Sequence, residues 1–200
     1  MEIQSVNSCD FQRTAVVGTS CSGKTTFARE LAAILGVPHI ELDALFWLPG
    51  WKETPIDEFR TRVEQETCSE CWVVDGNYSQ VRDIVWSQAT GIIWLNYSFP
   101  LVFWQALKRT IRRAFTRQEL FSGNRESFRK TFFSHDSILL WVLKSFRKNR
   151  LKYTNLKDSP DWQHLHFTEF RHPSQATSFL SQVANTSRLA VSSSQEIPDL

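Results

Sequence analysis

The residues best suited to chemistry are the eight from 18 to 25, which read Gly-Thr-Ser-Cys-Ser-Gly-Lys-Thr. This is the phosphate-loop pattern, in which a glycine and four free positions are followed by Gly-Lys-Thr. The glycines allow a tight turn whose N–H groups face phosphate oxygens at the start of a helix. Lys24 would reach the β- and γ-phosphates, and the Thr25 hydroxyl would bind Mg²⁺. The sequence therefore predicts a site for ATP or GTP with Mg²⁺, formed by Gly18, Thr19, Ser20, Cys21, Ser22, Gly23, Lys24, Thr25 and Thr26.

Two aspartates end apolar runs and are candidates for the remaining chemistry. Asp75 closes residues 72–75, and Asp43 closes residues 39–43. In open parallel sheets ligands bind beyond the carboxyl ends of the strands, so both side chains are expected near the phosphate loop. Asp75 is the better candidate for holding the metal, and Asp43 for binding the acceptor or taking its hydroxyl proton. The two roles could be exchanged, and either residue could instead cap a helix or turn.

Positive charge is concentrated in residues 105–152, which hold 13 Lys and Arg against 3 Asp and Glu in a chain of net charge +2. Such an excess favours a polyanionic ligand, although a solvated helix face is the plainer interpretation of a charge run. Phosphoryl transfer spreads negative charge over oxygens that arginines stabilise. Arg109 and Arg113 are therefore predicted to clamp phosphate from one helix face, which Arg112 and Lys108 share.

The polar stretch at about 116–133 is interpreted as a lid. It would bring Arg125 and Arg129 over the nucleotide. The basic residues that follow are interpreted as a solvated helix face; they are Lys144, Arg147, Lys148 and Arg150.

Strands and helices alternate along the chain, which is typical of a parallel sheet covered on both faces. We expect one α/β domain over residues 13–186, with flexible termini at 1–12 and 187–200. Gly36 is expected to end the first helix. The predicted strands are 14–17, 39–43, 72–75, 91–97 and 165–167, and the predicted helices are 25–35, 56–68, 79–86, 100–115, 134–151 and 173–184.

The aromatic residues have two interpretations. Phe46, Trp47 and Trp51 could form a stacking wall for an acceptor base or could simply pack in the core. Three other tryptophans lie on apolar faces and are predicted to be core residues: Trp94, Trp104 and Trp141.

Several classes of protein are disfavoured by the sequence. Residues 1–5 lack the basic and apolar regions of a secretory signal, and the longest apolar run, at 138–143, is too short to cross a membrane. Four cysteines without a signal favour reduced thiols and a cytoplasmic location. Cys68 and Cys71 form a lone C-x-x-C, without the second pair that a zinc site needs.

Taken in order, these segments resemble the adenylate-kinase-related P-loop proteins of the DNA topology modulation or flagellar-regulator-like family. Besides the phosphate loop, the resemblance rests on residues 39–51 and 72–78, and later on 93–95, 109–113 and 123–127. It covers about residues 13–182. It implies a three-layer nucleotide-kinase-like fold whose five parallel strands have the order 2-3-1-4-5, which would place Asp75 beside the phosphate loop.

The chain departs from adenylate kinases directly after Asp75. Those enzymes have Asp-Gly-x-Pro-Arg where this chain has Asp75-Gly76-Asn77-Tyr78-Ser79. The arginine that grips the acceptor phosphate is therefore missing there, which argues against AMP as the acceptor, and Arg82 is a candidate to replace it. By the same analogy, residues 171–173 would border the nucleotide base.

These observations predict a kinase-like phosphotransferase that moves the γ-phosphoryl group of Mg-ATP to a small acceptor, such as a nucleoside or nucleotide. Its predicted catalytic residues are Lys24, Asp43, Asp75, Arg109 and Arg113, and its metal ligands are Thr25 and Asp75. Two alternatives stay open. One is a nucleic-acid-associated ATPase or regulator that uses the basic segment, and the other is a nucleotide-binding protein without turnover.

Overall fold

The computed structural model of the chain describes residues 11–116 and 138–193, with side chains for 11–112 and 144–188. The predicted lid with Arg125 and Arg129 lies outside these residues, apart from its first position. The side chains of Arg113 and Trp141 also lie outside them.

Five parallel strands form the central sheet. They are β1 (Arg13–Gly18), β2 (His39–Glu41), β5 (Trp72–Asp75), β6 (Gly91–Leu95) and β7 (His166–Phe170). Their spatial order is β2-β5-β1-β6-β7, and all four neighbouring pairs are parallel. Counted among themselves, the five strands have the predicted order 2-3-1-4-5. The difference in detail is a separate antiparallel hairpin, β3 (Trp47–Leu48) with β4 (Lys52–Glu53), which the sequence analysis did not predict.

Helices cover both faces of this sheet because its central strands are apolar on both sides. Val16 and Ile93 face one core, while Ala15 and Val17 face the other. The helices are α1 (Lys24–Leu35), α2 (Leu42–Phe46), α3 (Ile56–Glu66), α4 (Arg82–Gln88), α5 (Phe99–Thr116), α6 (Ile138–Lys157) and α7 (Pro173–Ser193). Helices α1, α5 and α7 pack in the first core and α3 and α4 in the second, while α6 contributes Phe146 to the first and Tyr153 to the second.

The second strand is shorter than predicted. Strand β2 ends at Glu41, and Asp43 lies in the first turn of α2 rather than at a strand end. The reason is the spacing of Leu42 and Phe46, which are four residues apart and both buried. That spacing places both side chains on one face of a single helical turn.

Trp104 was predicted to be a core residue, and this prediction is wrong. Its side chain is 53% exposed. Val102 and Ala106 of α5 are buried in the core, so a side chain two positions from each points away from it. Trp104 instead lies under Lys108, whose Nζ is 5.1 Å from the ring centre. The prediction for Trp94 is confirmed, since it is 4% exposed.

At both ends of the described region, structured residues lie beyond the predicted elements. Phe11 is buried and contacts the ring of Phe179. Helix α7 continues to Ser193, past the predicted end at 184. Within the described residues, no helix combines the length and the apolar character needed to cross a membrane.

Candidate active site

The phosphate loop lies between β1 and α1 and turns through left-handed backbone conformations. Gly18 has φ 154° and Gly23 has φ 90°, which glycine adopts at little cost. A Cβ atom at Gly18 would lie 2.8 Å from the Leu95 carbonyl oxygen, so only glycine fits against β6. Cys21 also has a positive φ, of 66°, although it carries a side chain.

The loop fits a phosphate group. Helix α1 starts at Lys24, and its N-cap residue, Gly23, has no side chain to accept hydrogen bonds from the N–H groups of the first turn. The Ser22 hydroxyl is buried and has no hydrogen-bond partner among the described residues. Donors left open at a helix N-terminus form an anion site. Lys24 and Thr25 follow directly on this turn, and both are half-buried.

Thr25 and Asp75, the two predicted metal ligands, are in contact. The Thr25 hydroxyl donates to Asp75 Oδ1 at 3.0 Å, although the two residues are 50 positions apart. The Asp75 carboxylate is 2% exposed, and its Oδ2 lies 2.7 Å from His39 Nε2. Two partners therefore fix the orientation of this carboxylate.

The donor set suits Mg²⁺ rather than a transition metal. A hydroxyl and a carboxylate oxygen are hard ligands, and Mg²⁺ is usually held by one or two protein groups together with water and substrate phosphates. Within the described ranges, no three His, Cys, Asp or Glu side chains are grouped as a metal site. In the same part of the chain, Cys68 and Cys71 are free thiols.

Acidic side chains cluster at the ends of β2 and β5. Burial raises the pKa of Glu41, and the charges of Asp75 and Asp43 raise it further. The Tyr78 hydroxyl donates to Asp43 Oδ1 at 2.6 Å. Burial and then the Asp43 charge raise the pKa of Tyr78, so this phenol is a neutral donor. Asp43 thus lies near the predicted metal site, but α2 and Tyr78 hold it there rather than a strand end.

Asn77 holds the first residue of the phosphate loop. Its Oδ1 accepts from the Gly18 N–H at 3.3 Å, and its Nδ2 donates to the Gly18 carbonyl oxygen. The same Oδ1 also accepts from the Tyr153 hydroxyl at 2.8 Å. Tyr153, on α6, is 1% exposed. One side-chain amide therefore connects the phosphate loop to a buried ring on a helix of another layer.

Of the predicted phosphate-clamping arginines, Arg109 lies at the loop. Its Nη1 is 3.9 Å from Cys21 Sγ, which places the guanidinium of α5 beside the turn. Lys108 lies over the Trp104 ring instead, and Arg112 is exposed.

The aromatic residues after β2 are partly core. Phe46 is 7% exposed and contacts Phe59 and Tyr78 at 5.1 and 4.6 Å between ring centres, so it packs the inside of the site. Trp47 and Trp51 contact each other at 5.6 Å, and Trp51 is 39% exposed.

Residues 171–173, predicted to border the base, have local partners. Arg171 is paired with Glu169 at 2.8 Å. The ring of His172 contacts the Ser174 hydroxyl at the start of α7.

Four residues of the site were not predicted from the sequence: His39, Asn77, Tyr78 and Tyr153. His39 and Glu41 are two positions apart on β2, so their side chains lie on the same face of the sheet. In the parallel register they are paired with Val73 and Asp75 of β5. That spacing was the available signal for His39. For Asn77 and Tyr153, 76 positions apart, the sequence holds no such signal.

Comparison with known proteins gives the fold. No protein-family model matches the chain, and a search of curated proteins finds no match. Among solved structures, a shikimate kinase from Bacteroides thetaiotaomicron has a TM-score of 0.51 at 16% identity, covering 87% of this chain and 97% of that one. A shikimate kinase from Acinetobacter baumannii in complex with shikimate has a TM-score of 0.51 at 15% identity, and the match covers 96% of this chain and 100% of that one. A gluconokinase from Sinorhizobium meliloti has a TM-score of 0.47 at 17% identity, and the match covers 94% of this chain and 99% of that one.

At these identities the two shikimate kinases show that the chain has the α/β fold of P-loop kinases. They do not confirm the narrower resemblance to the DNA topology modulation family.

Proposed function

We propose that the chain is a P-loop phosphotransferase that moves the γ-phosphoryl group of ATP, with Mg²⁺, to a hydroxyl of a small acceptor. The observation that carries the proposal is the 3.0 Å hydrogen bond between Thr25 and the buried carboxylate of Asp75. It brings the metal-binding hydroxyl of a phosphate loop against an acid from the neighbouring strand, which is the arrangement that metal-dependent phosphoryl transfer needs.

The nucleotide end of the reaction belongs to the loop. Open N–H groups of α1 and the Lys24 ammonium bind the phosphates, and the Arg109 guanidinium beside Cys21 stabilises charge that develops on the transferred group. Bound Mg²⁺, held by Thr25 and Asp75, would neutralise charge on the β- and γ-phosphates. His39 fixes the second carboxylate oxygen of Asp75. Arg113 remains a second candidate clamp on α5.

The acceptor end belongs to Asp43. Its carboxylate receives the proton of the acceptor hydroxyl as the new O–P bond forms and the bond from the γ-phosphorus to the bridging oxygen breaks, releasing ADP. The hydrogen bond from Tyr78 holds the carboxylate in place. Burial raises the pKa of neighbouring Glu41, and the negative charges of Asp75 and Asp43 raise it further. A neutral hydroxyl group of the acceptor should therefore bind next to Asp43 more favourably than an anionic group.

The experiment is a coupled ADP-release screen with Mg-ATP over alcohol acceptors, including nucleosides, nucleotides, sugars and shikimate. Lys24→Ala is the control for nucleotide chemistry, and Asp43→Asn separates acceptor-dependent transfer from ATP hydrolysis. Acceptor-stimulated ADP release that both variants lose supports the proposal. An ADP-release rate that no acceptor raises above the water background would contradict it.

A nucleic-acid-associated role is the second candidate, and the exposure of the basic residues on α6 favours it. Lys144, Arg147, Lys148 and Arg150 are all exposed, and none has an acidic partner among the described residues. Binding to DNA or RNA through them would weaken steeply with salt. A variant with all four changed to glutamine should then lose most of its affinity at low salt, and unchanged affinity would remove this candidate.

A further inference from the structure

A small pocket lies below the turn that follows β5, apart from the phosphate loop. It is enclosed by the sheet, α4 and α6, and its apolar wall includes Val17, Val74 and Val85. Its polar lining is Asn77, Arg82 and Tyr153. Because Asn77 also binds Gly18, this residue forms a boundary between the pocket and the phosphate loop.

Arg82 stands in this pocket without an acceptor for part of its guanidinium. The side chain is half-buried, and its Nη2 is fully buried with no hydrogen-bond partner among the described residues. The guanidinium carbon lies 5.5 Å from the centre of the Trp86 ring. Burial lowers the pKa of Arg82. A buried N–H donor that has lost water and gained no acceptor is destabilising, so it calls for a ligand.

Lys152 places a second cation beside Tyr153, a residue that lines the pocket. It is half-buried on α6, and its Nζ lies 5.6 Å from the centre of the Tyr153 ring. The Tyr153 and Trp86 rings are 6.5 Å apart and close to parallel, so the two cations lie over neighbouring rings. Burial, together with the charges of Arg82 and Lys148, lowers the pKa of Lys152 to about 8.

Two acids of the neighbouring elements are bound to other residues. Asp83, next to Arg82 in the chain, receives two hydrogen bonds from Arg60 at 3.0 and 2.6 Å. Glu169 is occupied by Arg171, Asn96 and Lys157. In the part of the chain that the structure describes, neither Arg82 nor Lys152 has a carboxylate partner.

We propose that Arg82 and Lys152 form a second anion site, which binds one oxyanion of the phosphate class beside the Trp86 and Tyr153 rings that line this pocket. Two cations and a planar guanidinium suit a phosphate dianion better than a carboxylate, because Arg binds two of its oxygens at once while Lys binds a third. The ligand is either free phosphate or the terminal phosphate group of a larger molecule. Arg82 is also the residue that the sequence offered in place of the acceptor-phosphate arginine, but neither Arg82 nor Lys152 binds the nucleotide or the acceptor hydroxyl in the proposed transfer, so the site can be tested apart from that reaction.

The test is calorimetric titration of the whole chain with inorganic phosphate at constant ionic strength. A phosphate loop also binds phosphate, so the titration is done in the Lys24→Ala background and repeated in the unaltered chain saturated with Mg-ADP. We expect one phosphate per chain in both. Arg82→Gln and Lys152→Gln should each weaken binding about tenfold or more, as loss of a charge-assisted hydrogen bond does.

Two variants on the same helix serve as charge-matched controls. Lys144→Gln and Arg150→Gln remove one charge each from exposed positions and should leave binding within about twofold. Lys152→Arg should retain it. Because the two pocket variants remove unpaired cations, they should unfold at the same or a higher urea concentration without phosphate, so a loss of binding will not be a loss of fold.

Methyl phosphate distinguishes the two sources. Binding equal to that of inorganic phosphate points to the terminal group of a larger ligand, and binding of inorganic phosphate alone points to the free ion. Phosphate affinity in Arg82→Gln and Lys152→Gln equal to that of the controls would overturn the proposal. Failure of the transfer reaction would appear separately, as absent ATP turnover with phosphate binding at Arg82 and Lys152 retained.

Discussion

Asn77→Asp best tests whether the hydrogen bonds between Asn77 and Gly18 hold the phosphate loop in place. The two side chains have the same shape. In the variant, the amide nitrogen that donates to the Gly18 carbonyl becomes a carboxylate oxygen, so two acceptors face each other. The other oxygen keeps its bonds from the Gly18 N–H and the Tyr153 hydroxyl. Only one of the three contacts is therefore reversed.

The magnitude follows from that single reversal. Loss of a buried hydrogen bond with an acceptor left unpaired costs about 1–3 kcal/mol, so the free energy of unfolding should fall by about 2 kcal/mol. The variant also adds a negative charge beside a phosphate site. Two unit charges roughly 8 Å apart at an effective dielectric of about 20 repel by about 2 kcal/mol, so nucleotide affinity should fall by about tenfold or more.

Urea unfolding and calorimetric titration with Mg-ADP measure the two effects. Asn155→Asp is the matched control, because Asn155 is exposed on α6 and its replacement adds the same charge away from the loop. Tyr153→Phe removes only the hydroxyl and should cost about 1 kcal/mol, since Asn77 Oδ1 keeps the Gly18 N–H as a donor. If Asn77→Asp unfolds at the urea midpoint of the unaltered chain and binds Mg-ADP as Asn155→Asp does, Asn77 does not hold the loop.

Four further outcomes are expected. Lys24→Ala should abolish ATP turnover with an unchanged far-ultraviolet circular dichroism spectrum; turnover that persists would refute the phosphate-loop assignment. His39→Gln should raise the Mg²⁺ concentration needed for half-maximal turnover by about tenfold, as loss of an orienting partner does, while metal-free ADP affinity stays the same. Tyr78→Phe should lower kcat for transfer about tenfold without changing KM for ATP, because it loosens Asp43 and not the loop; an effect on KM alone would contradict this. Burial, Arg82 and Lys148 lower the pKa of Lys152 from 10.5 to about 8 in the folded chain. Between these values the unfolded chain holds more protons, so the free energy of unfolding without phosphate should rise with pH there, and Lys152→Gln should lack this part of the rise in urea titrations.

The parts of the fold that sequence predicted are those with local signals. The apolar runs at 14–17 and 72–75 each lie in a strand that is buried on both faces, as do residues 91–95 of the run at 91–97. Gly36 ends α1 in a left-handed conformation with φ 69°. The phosphate-loop pattern has the same local character, since its strand, turn and helix are consecutive.

Some predictions were wrong because the spacing of apolar residues fitted more than one placement of the side chain. Residues 39–43 read as one strand, but the spacing of Leu42 and Phe46 imposes a helical turn on Asp43. Trp104 was predicted to lie on an apolar face, yet its angular position on α5 directs it away from the buried Val102 and Ala106.

The partners of the site residues were beyond sequence reasoning. Asp75 could be proposed as a metal ligand from its place at a strand end, but its bond to His39 depends on the parallel register of β2 and β5. The bond between Tyr153 and Asn77 depends on the course of α6 across the sheet edge, since Phe146 and Tyr153 of that helix lie in different cores. No periodicity in one chain encodes such a contact.

The bond between Asn77 and Gly18 has a consequence for the cost of binding. The phosphate loop begins at Gly18, which is bonded to Asn77, and Asn77 is in turn bonded to Tyr153 in the core on one face of the sheet. The loop ends in α1, which packs in the core on the other face. Its two ends are thus fixed to opposite sides of the sheet before any ligand arrives. A loop held in this way loses little conformational entropy when it closes on an anion, so more of the interaction free energy remains as affinity. Its backbone should accordingly move little when nucleotide binds, while its open N–H groups should exchange hydrogen quickly in the ligand-free protein and slow once a phosphate accepts from them.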